Sequence, residues 1–195
     1  MKVKVVSEKR ERIIQAATII FARQGFYNST VADVAKEASV ADGTIYLYFK
    51  NKDDLLISIF ERSMDMFIQA AEEEINKEKS AENQLKRFID LHLRLVHKHQ
   101  ELAQVIQIEL RQSSKFIKEY ANEKFFSYLN IVEKIIQRGK EQKIFNVDIN
   151  AGILKRAIFG AIDEIALEWV LMKKKRYSIE EASYELCQMF VKGLK

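Results

Sequence analysis

The chain has 195 residues, a net charge of +4, one cysteine and no proline. This length accommodates one or two domains, and the high fractions of apolar and charged residues exclude a disordered chain. No apolar run is long enough to cross a bilayer, the N-terminal residues lack an apolar signal core, and one cysteine excludes an internal disulfide framework. We therefore expect a cytoplasmic protein.

Helical periodicity runs along the whole chain and predicts an all-α protein. The first helix is predicted over residues 7–24, with Ser7 as its N-cap and Gly25 as its stop. Thr30 and Asp33 have the spacing of a capping box at the start of a short second helix, and a third short helix follows at about 42–48. Longer helices are predicted over 53–78, 81–98, 101–111, 113–141, 148–173 and 178–193.

The second and third helices, joined by the turn Ser39-Val40-Ala41, have the pattern of a helix-turn-helix unit. The second helix of such a unit lies in the major groove of DNA. Gly43 lets the backbone approach DNA closely, and Thr44 with the helix N-terminus suits a phosphate. Tyr46 and Tyr48 can pack through their rings while their hydroxyls reach a phosphate or a base edge. Packing within a small helical bundle is the alternative role of these tyrosines.

A surplus of positive charge accompanies this pattern, because residues 1–52 hold nine Lys or Arg against five Asp or Glu. Lys2 and Lys4 could reach the minor groove or a phosphate, although such an arm is more often solvated. The residues that we expect to contact DNA are Thr30, Ala41, Asp42, Gly43, Thr44, Tyr46, Leu47, Tyr48, Lys50 and Lys52.

Residues 27–56, YNSTVADVAKEASVADGTIYLYFKNKDDLL, and the preceding FARQGF resemble the signature of the TetR family of transcriptional regulators. The resemblance implies an all-helical homodimer that binds palindromic double-stranded operator DNA. It also implies a three-helix DNA-binding domain over 1–52 and a ligand-binding and dimerisation domain of about six helices over 53–195. Two positions depart from the family pattern. Ser39 stands where glycine is common, and Ala41 stands where a capping serine is common, with Asp42 placing compensating negative charge at the helix start.

The two C-terminal helices, 148–173 and 178–193, carry apolar faces that would be exposed in a monomer. Ala157, Gly160 and Ala161 allow close approach of another helix, and Leu186 and Met189 lie on the apolar stripe of the last helix. We expect these two helices to form an isologous four-helix dimer interface. An intrachain core is the alternative.

Further segments, QIELRQS (107–113) and IFGAIDEIALEWV (158–170), resemble members of this family that repress genes of fatty acid β-oxidation. That resemblance implies a repressor released from its operator by a long-chain acyl-CoA. The alternative is a TetR-type repressor of a transport or efflux gene that responds to another hydrophobic small molecule. The expected ligand contacts are Phe88, Leu91, Arg94, Leu95, Lys98, Arg111, Phe116, Tyr120, Tyr128, Phe159 and Asp163.

Each of these expected contacts has an ordinary structural alternative. Apolar residues at helical spacing form every helical core, and a basic helix face is usually solvated. Asp163 could form a salt bridge instead of orienting a ligand.

An enzyme is not expected from this sequence. His92, His97 and His99 are spaced so that their side chains do not converge on one helix face, and no familiar catalytic or phosphate-binding motif occurs. Cys187 lies in an apolar helix, where burial is more common than reactivity. We therefore expect no catalytic residue, no metal and no cofactor.

Overall fold

The computed structural model describes residues 2–112 and 123–195, with side chains from residue 8 onward. Every regular element in these ranges is helical, which confirms the all-α prediction. The helices are α1 (Lys2–Gln24), α2 (Val31–Glu37), α3 (Asp42–Ile45), α4 (Lys52–Ile75), α5 (Ala81–Lys98), α6 (Gln100–Gln104), a π-helix (Val105–Glu109), α7 (Leu110–Gln112), α8 (Glu123–Glu141), α9 (Ala151–Leu171) and α10 (Ile179–Leu194).

The first helix begins earlier than predicted. Its first residue is Lys2, so Ser7 lies inside the helix and the expectation of an N-cap at Ser7 was wrong. Neither glycine nor proline occurs among residues 2–7 to interrupt the helix, and a serine alone does not fix where a helix begins. The predicted stop is confirmed, because Gly25 has a φ of 82°, in the left-handed region that glycine adopts readily.

The third helix is shorter than predicted and ends at Ile45. The N–H groups of Leu47 and Tyr48 bond three residues back, to Thr44 and Ile45, so the chain continues as tight turns. The next helix, α4, ends at Ile75, three residues before the predicted end at 78.

The predicted helix over 101–111 is three consecutive elements, in which a π-helix separates α6 from α7. A π-helix closes its hydrogen bonds five residues apart and cannot be recognised from apolar spacing over one turn. Of the helix predicted over 113–141, residues 123–141 are described and form α8. The last two helices start at capping residues, Asn150 before α9 and Ser178 before α10.

The chain divides into two compact units. Unit 1 comprises Met1–Ser63 with Gln100–Tyr120, and within it α1 packs against α2 and α6. Unit 2 comprises Met64–His99 with Ala121–Lys195, and within it α5 packs against α8, α9 and α10. The functional boundary predicted between residues 52 and 53 stays a prediction.

None of the described helices is both long enough and apolar enough to cross a bilayer.

Candidate functional site

Unit 1 contains the predicted helix-turn-helix, and its first short helix starts at the predicted capping box. The Thr30 hydroxyl oxygen accepts a hydrogen bond from the Asp33 N–H at 3.1 Å, and the Asp33 carboxylate accepts one from the Thr30 N–H at 2.8 Å. Hydrogen bonds from Thr30 hold the pKa of Asp33 below its usual value. The structure therefore uses the side chain of Thr30 to start α2, and its predicted contact with DNA stays a prediction.

The turn between α2 and α3 adopts the conformation expected of the family despite its two departures. Ser39 has a φ of 54°, so a serine occupies a left-handed position that costs roughly 1–2 kcal/mol for an ordinary L residue. Ala41 is the N-cap of α3 and makes no side-chain capping bond. Asp42 lies in the first turn of α3, where negative charge is favourable.

The residues of α3 and of the turn after it fall into a buried group and an exposed group. Ile45 and Phe49 are each 2% exposed, which confirms their assignment to packing. Tyr46 and Leu47 are 58% and 81% exposed although both are large and apolar. Ala41, Asp42, Gly43 and Lys50 are also exposed, and Thr44 and Tyr48 are partly exposed. Exposed tyrosine and leucine side chains beside a glycine with open space around it are typical of an interaction surface.

Lys52 has a role in the structure that its sequence position did not indicate. Its ammonium group donates hydrogen bonds to the carbonyls of Phe26 at 2.6 Å, Ser29 at 2.8 Å and Tyr27 at 3.3 Å. The same group lies 4.5 Å from the centre of the Phe26 ring, in a cation–π arrangement. Lys52 thus holds the loop before α2 in place, and its predicted contact with the DNA backbone stays a prediction.

Residues from α6 through α7 hold the same loop from another side. The hydroxyl of Tyr27 donates to the carbonyl of Gln112 at 3.0 Å, and Gln104 donates to the carbonyl of Ala22, in the last turn of α1 just before the loop, at 2.7 Å. The carboxylate of Glu109 accepts a buried hydrogen bond from the N–H of Phe26 at 2.7 Å. The loop between α1 and α2 is therefore attached to the segment 104–112.

Unit 2 contains a cluster of aromatic rings, which we call the aromatic cluster. Its members come from α4, α5, α8 and α9 and are Phe67, Phe88, His92, Phe125, Tyr128 and Phe159. Tyr128 is central, because the centres of the Phe67, Phe88 and Phe159 rings lie 5.0, 5.4 and 5.8 Å from its own. The structure thus brings together Phe88, Tyr128 and Phe159, which we predicted as ligand contacts.

A polar pair lies inside the aromatic cluster. The hydroxyl of Tyr128 and Nδ1 of His92 are 3.1 Å apart, within hydrogen-bonding distance. Burial lowers the pKa of His92 to about 4, with Asp163 opposing the shift, and burial together with the charge of Asp163 raises the pKa of Tyr128. Both side chains are therefore neutral at pH 7. His92 keeps some accessible surface.

The remaining predicted ligand contacts are spread over both units. Leu91, Leu95 and Asp163 are partly exposed residues of unit 2, and Lys98 is exposed at the end of α5. Arg111 lies in unit 1, where it donates to Gln107 at 2.8 Å. Phe116 and Tyr120 lie outside the described residues.

The guanidinium of Arg94 is already engaged by carboxylates. Its Nε–H is shared between the two carboxylate oxygens of Asp90, at 2.8 and 2.9 Å, and its Nη1 donates to Glu180 at 3.2 Å. A surface groove of about 550 Å³ between α5 and α10 includes these residues and also Arg87 and Tyr184. Because acidic and basic side chains alternate along this groove, it is not a purely positive surface.

Two family models together match most of the chain. Residues 13–59 match the model described as bacterial regulatory proteins of the tetR family, and residues 60–193 match the C-terminal region of YsiA-like proteins. The chain belongs to the TetR family. Members of this family are DNA-binding transcriptional regulators, so the predictions of a regulator, of operator DNA as a partner and of dimerisation are confirmed.

Relatives in the TetR family resemble the chain over nearly its whole length. The fatty acid metabolism regulator protein of Bacillus subtilis is 38% identical over 186 residues, which is 95% of each chain. The structure of the fatty acid degradation regulator FadR from Bacillus halodurans matches with a TM-score of 0.88 at 35% identity, covering 96% of each chain. The structure of FadR from Bacillus subtilis in complex with stearoyl-CoA matches with a TM-score of 0.87 at 38% identity, covering 95% of this chain and 99% of that one.

Sequence reasoning missed several residues of these two sites. His92 was considered only as a metal ligand or a base, and a single histidine on a helix does not indicate a buried polar partner. Phe67 was not among the expected ligand contacts, although its position on α4 fits an inward face. Glu109 was missed because an isolated glutamate in a helical segment is usually solvated.

Proposed function

We propose that this protein represses genes of fatty acid degradation and releases its operator when a long-chain acyl-CoA binds to unit 2. The observation that carries the proposal is 38% identity, over 95% of both chains, to the fatty acid metabolism regulator of Bacillus subtilis. A crystal structure of the Bacillus subtilis regulator FadR contains stearoyl-CoA. This role needs no catalytic step, and we infer that the chain acts in the cytoplasm, where operator DNA and acyl-CoA meet.

The aromatic cluster supports an acyl chain as part of the ligand. Its rings and the flanking Leu91 and Leu95 provide apolar surface along α5. Removing an acyl chain from water is favourable by about 0.8 kcal/mol for each buried methylene group. A chain of the length found in palmitoyl-CoA therefore supplies enough free energy for tight binding.

The pair of His92 and Tyr128 supports a polar contact within the same site. Both groups are neutral, and together they have two N–H or O–H donors, one of which is used between them. Whichever tautomer His92 adopts, one donor remains for an acceptor such as a carbonyl oxygen. We infer that this donor faces the thioester carbonyl of the ligand.

The phosphates of coenzyme A require positive charge beyond this pair. Lys98 lies six residues after His92 on α5, about 9 Å further along the helix axis. Arg94 lies between them, but a phosphate would have to compete with Asp90 and Glu180 for its guanidinium. We therefore favour Lys98 over Arg94 as the phosphate contact.

In this role, the protein recognises its operator through the exposed surface around α3. Since Gly43, Tyr46 and Leu47 are exposed, we infer that they face the DNA, with Thr44 and the N-terminus of α3 near a phosphate. A dimer then reads two half-sites about 34–36 Å apart, or a multiple of that distance. Ligand binding needs to favour the conformation that binds DNA poorly by only about 1–3 kcal/mol to reduce operator affinity about 5- to 150-fold.

A thermal-shift titration with palmitoyl-CoA, free palmitate and coenzyme A alone tests the ligand. At a hundred times its dissociation constant a ligand stabilises the native state by about 2.7 kcal/mol. We expect palmitoyl-CoA to raise Tm and neither fragment to match it. If a hydrophobic drug raises Tm while palmitoyl-CoA does not, the alternative role in transport or efflux regulation replaces this one.

A pair of matched variants locates the site. Phe159 belongs to the aromatic cluster, whereas Phe126 is 41% exposed on α8. We expect Phe159→Ala to weaken palmitoyl-CoA binding about tenfold or more, and Phe126→Ala to leave it unchanged. The single tryptophan, Trp169, lies in unit 2 and provides a fluorescence signal for both titrations. Equal affinities in the two variants would place the acyl chain elsewhere.

A further inference from the structure

The loop between α1 and α2 is held at one residue by two side chains that are distant in sequence. The N–H of Phe26 donates to the carboxylate of Glu109 at 2.7 Å, and the carbonyl of Phe26 accepts from the ammonium of Lys52 at 2.6 Å. We call these three residues the latch. Both backbone groups of Phe26 are thus satisfied by opposite charges. Charge-assisted bonds of this kind are about twice as strong as bonds between neutral groups.

The latch is connected by hydrogen bonds to the start of the helix-turn-helix. Lys52 also binds the carbonyl of Ser29, and Ser29 precedes Thr30, the N-cap of α2. The hydroxyl of Ser29 in turn donates to the carbonyl of Gly25 at 2.6 Å. Hydrogen bonds of Lys52 therefore link Phe26 to the residue that precedes the N-cap of α2.

Glu109 is the last residue of the π-helix, and this position makes its contact dependent on helix register. Glu109 is only 9% exposed, so its carboxylate depends on protein donors. A π-helix spaces its hydrogen bonds one residue further apart than an α-helix, and successive α-helical residues are about 100° apart. If the segment Val105–Glu109 returned to α-helical register, Glu109 would rotate away from Phe26 by about that angle.

The position of this segment in the chain connects it to the proposed ligand site. The helix α5, which carries His92, ends at Lys98, and α6 begins at Gln100. A single residue, His99, therefore separates the C-terminal end of α5 from the start of α6 along the chain. Local π-helical turns are commonly found at functional sites, where they allow such a change of register.

We propose that Glu109 is a positioning residue that couples effector binding to operator affinity through its bond to the Phe26 amide. With the bond present, the loop and the start of α2 are in the DNA-binding arrangement. When the effector changes the register of Val105–Glu109, the bond is lost and the operator is released. The part played by the effector in this inference rests on the proposed function.

The decisive experiment measures a ratio of affinities. The probe is a palindromic duplex selected from random DNA by the wild-type protein. The Kd for this duplex is measured with and without saturating palmitoyl-CoA, and the ratio is the first value divided by the second. We expect a ratio between about 5 and 150 in the wild type. In Glu109→Ala we expect weak operator binding without effector and a ratio near 1, while palmitoyl-CoA binding itself is unchanged. Glu109→Gln keeps an acceptor for the Phe26 N–H, so it should retain most of the ratio.

Gln104→Ala is the matched control. Gln104 binds the carbonyl of Ala22 in the last turn of α1, just before the same loop, but it precedes the π-helix, so a change of register does not displace it. We expect this variant to lower Tm comparably and to keep the wild-type ratio. If Glu109→Ala also kept the wild-type ratio, the carboxylate would be only a structural partner of the loop and the inference would be overturned.

Hydrogen exchange of the Phe26 amide is a second, direct readout. Palmitoyl-CoA should accelerate this exchange in the wild type, and release of the operator without any acceleration would contradict the inference. If palmitoyl-CoA neither binds to the protein nor releases it from the operator, the proposed function fails. The operator affinities of the two variants, measured without effector, then test Glu109 alone. Glu109→Ala must then bind the operator at least about fivefold more weakly than Gln104→Ala, and equal affinities would overturn the inference.

Discussion

The hydroxyl of Tyr128 lies 3.1 Å from Nδ1 of His92, and rings from α4, α5, α8 and α9 surround the pair. A polar pair among aromatic rings costs free energy unless its hydrogen bonds are made. This buried polar pair therefore distinguishes the interior of unit 2 from a purely apolar helical core. The same pair gives the protein a dependence on pH that can be measured without ligand.

Protonation of His92 destabilises the folded state. Its pKa is about 4 in the folded protein against an ordinary value of 6.5, because burial disfavours the charged imidazole. The folded pKa is depressed, so this contribution to stability is complete above pH 6.5 and is lost as the pH falls towards 4. We expect the free energy of unfolding of the wild type to fall by up to about 3 kcal/mol relative to His92→Gln across this window.

Urea unfolding of both proteins, followed by Trp169 fluorescence between pH 7.5 and 4, measures this difference. The hydrogen bond lost on substitution changes the free energy of unfolding by the same amount at every pH, and other groups titrate alike in both proteins. Comparing the pH dependence of the two proteins therefore removes both contributions. Parallel curves for the two proteins would mean that His92 titrates normally and is not enclosed.

Gly43→Ala separates DNA binding from stability. A Cβ added at Gly43 meets nothing within 4 Å in the protein, and alanine favours a helix over glycine by about 0.5–1 kcal/mol. We expect a slightly higher Tm together with operator binding about tenfold weaker, because the added methyl lies where the DNA backbone approaches. Fluorescence anisotropy with the selected duplex measures the affinity. Unchanged binding would show that DNA does not approach the backbone at Gly43.

Ala41→Ser should stabilise unit 1. Ala41 has the extended conformation of an N-cap, with φ −70° and ψ 147°, but lacks a side-chain acceptor for the N–H groups of α3. A serine hydroxyl supplies that acceptor and should raise the free energy of unfolding by about 1 kcal/mol in urea denaturation. Ala41→Val adds volume without an acceptor and is the control. A gain of the same size in both variants would exclude capping as the cause.

Met189→Glu tests the dimer interface that the sequence predicts. Met189 is 55% exposed on α10, and Ile153 on α9 is 69% exposed, so each of the two helices retains apolar surface. An isologous interface would bury the introduced carboxylate twice, without partners. We expect light scattering to report a monomer and operator affinity to fall.

Val147→Glu is the control for the dimer, because Val147 is 66% exposed in the connection between α8 and α9 and lies outside the predicted interface. This variant should remain a dimer. Dimerisation of Met189→Glu at wild-type affinity would place the interface on another surface.

The prediction of the operator-binding region was more complete than that of the ligand site, and particular residues show why. The capping box of Thr30 and Asp33, the stop at Gly25 and the burial of Ile45 and Phe49 are all local, because each depends on neighbours within a few positions along the chain. Local rules of capping, glycine conformation and helical spacing therefore identified them. Cys187 was likewise expected to be buried and is 7% exposed.

The contacts that join distant parts of the chain depended on tertiary structure. The Phe26 amide meets Glu109 across 83 positions, and the Tyr128 hydroxyl meets His92 across 36. The assignment of Lys52 to DNA followed its local position, whereas the folded loop brings three carbonyls to its ammonium group. Periodicity states which face of a helix is buried, but not which polar group on another helix lies against it. The all-α fold, the helix-turn-helix and the family were determined by the sequence alone, while tertiary packing decided which buried polar groups pair.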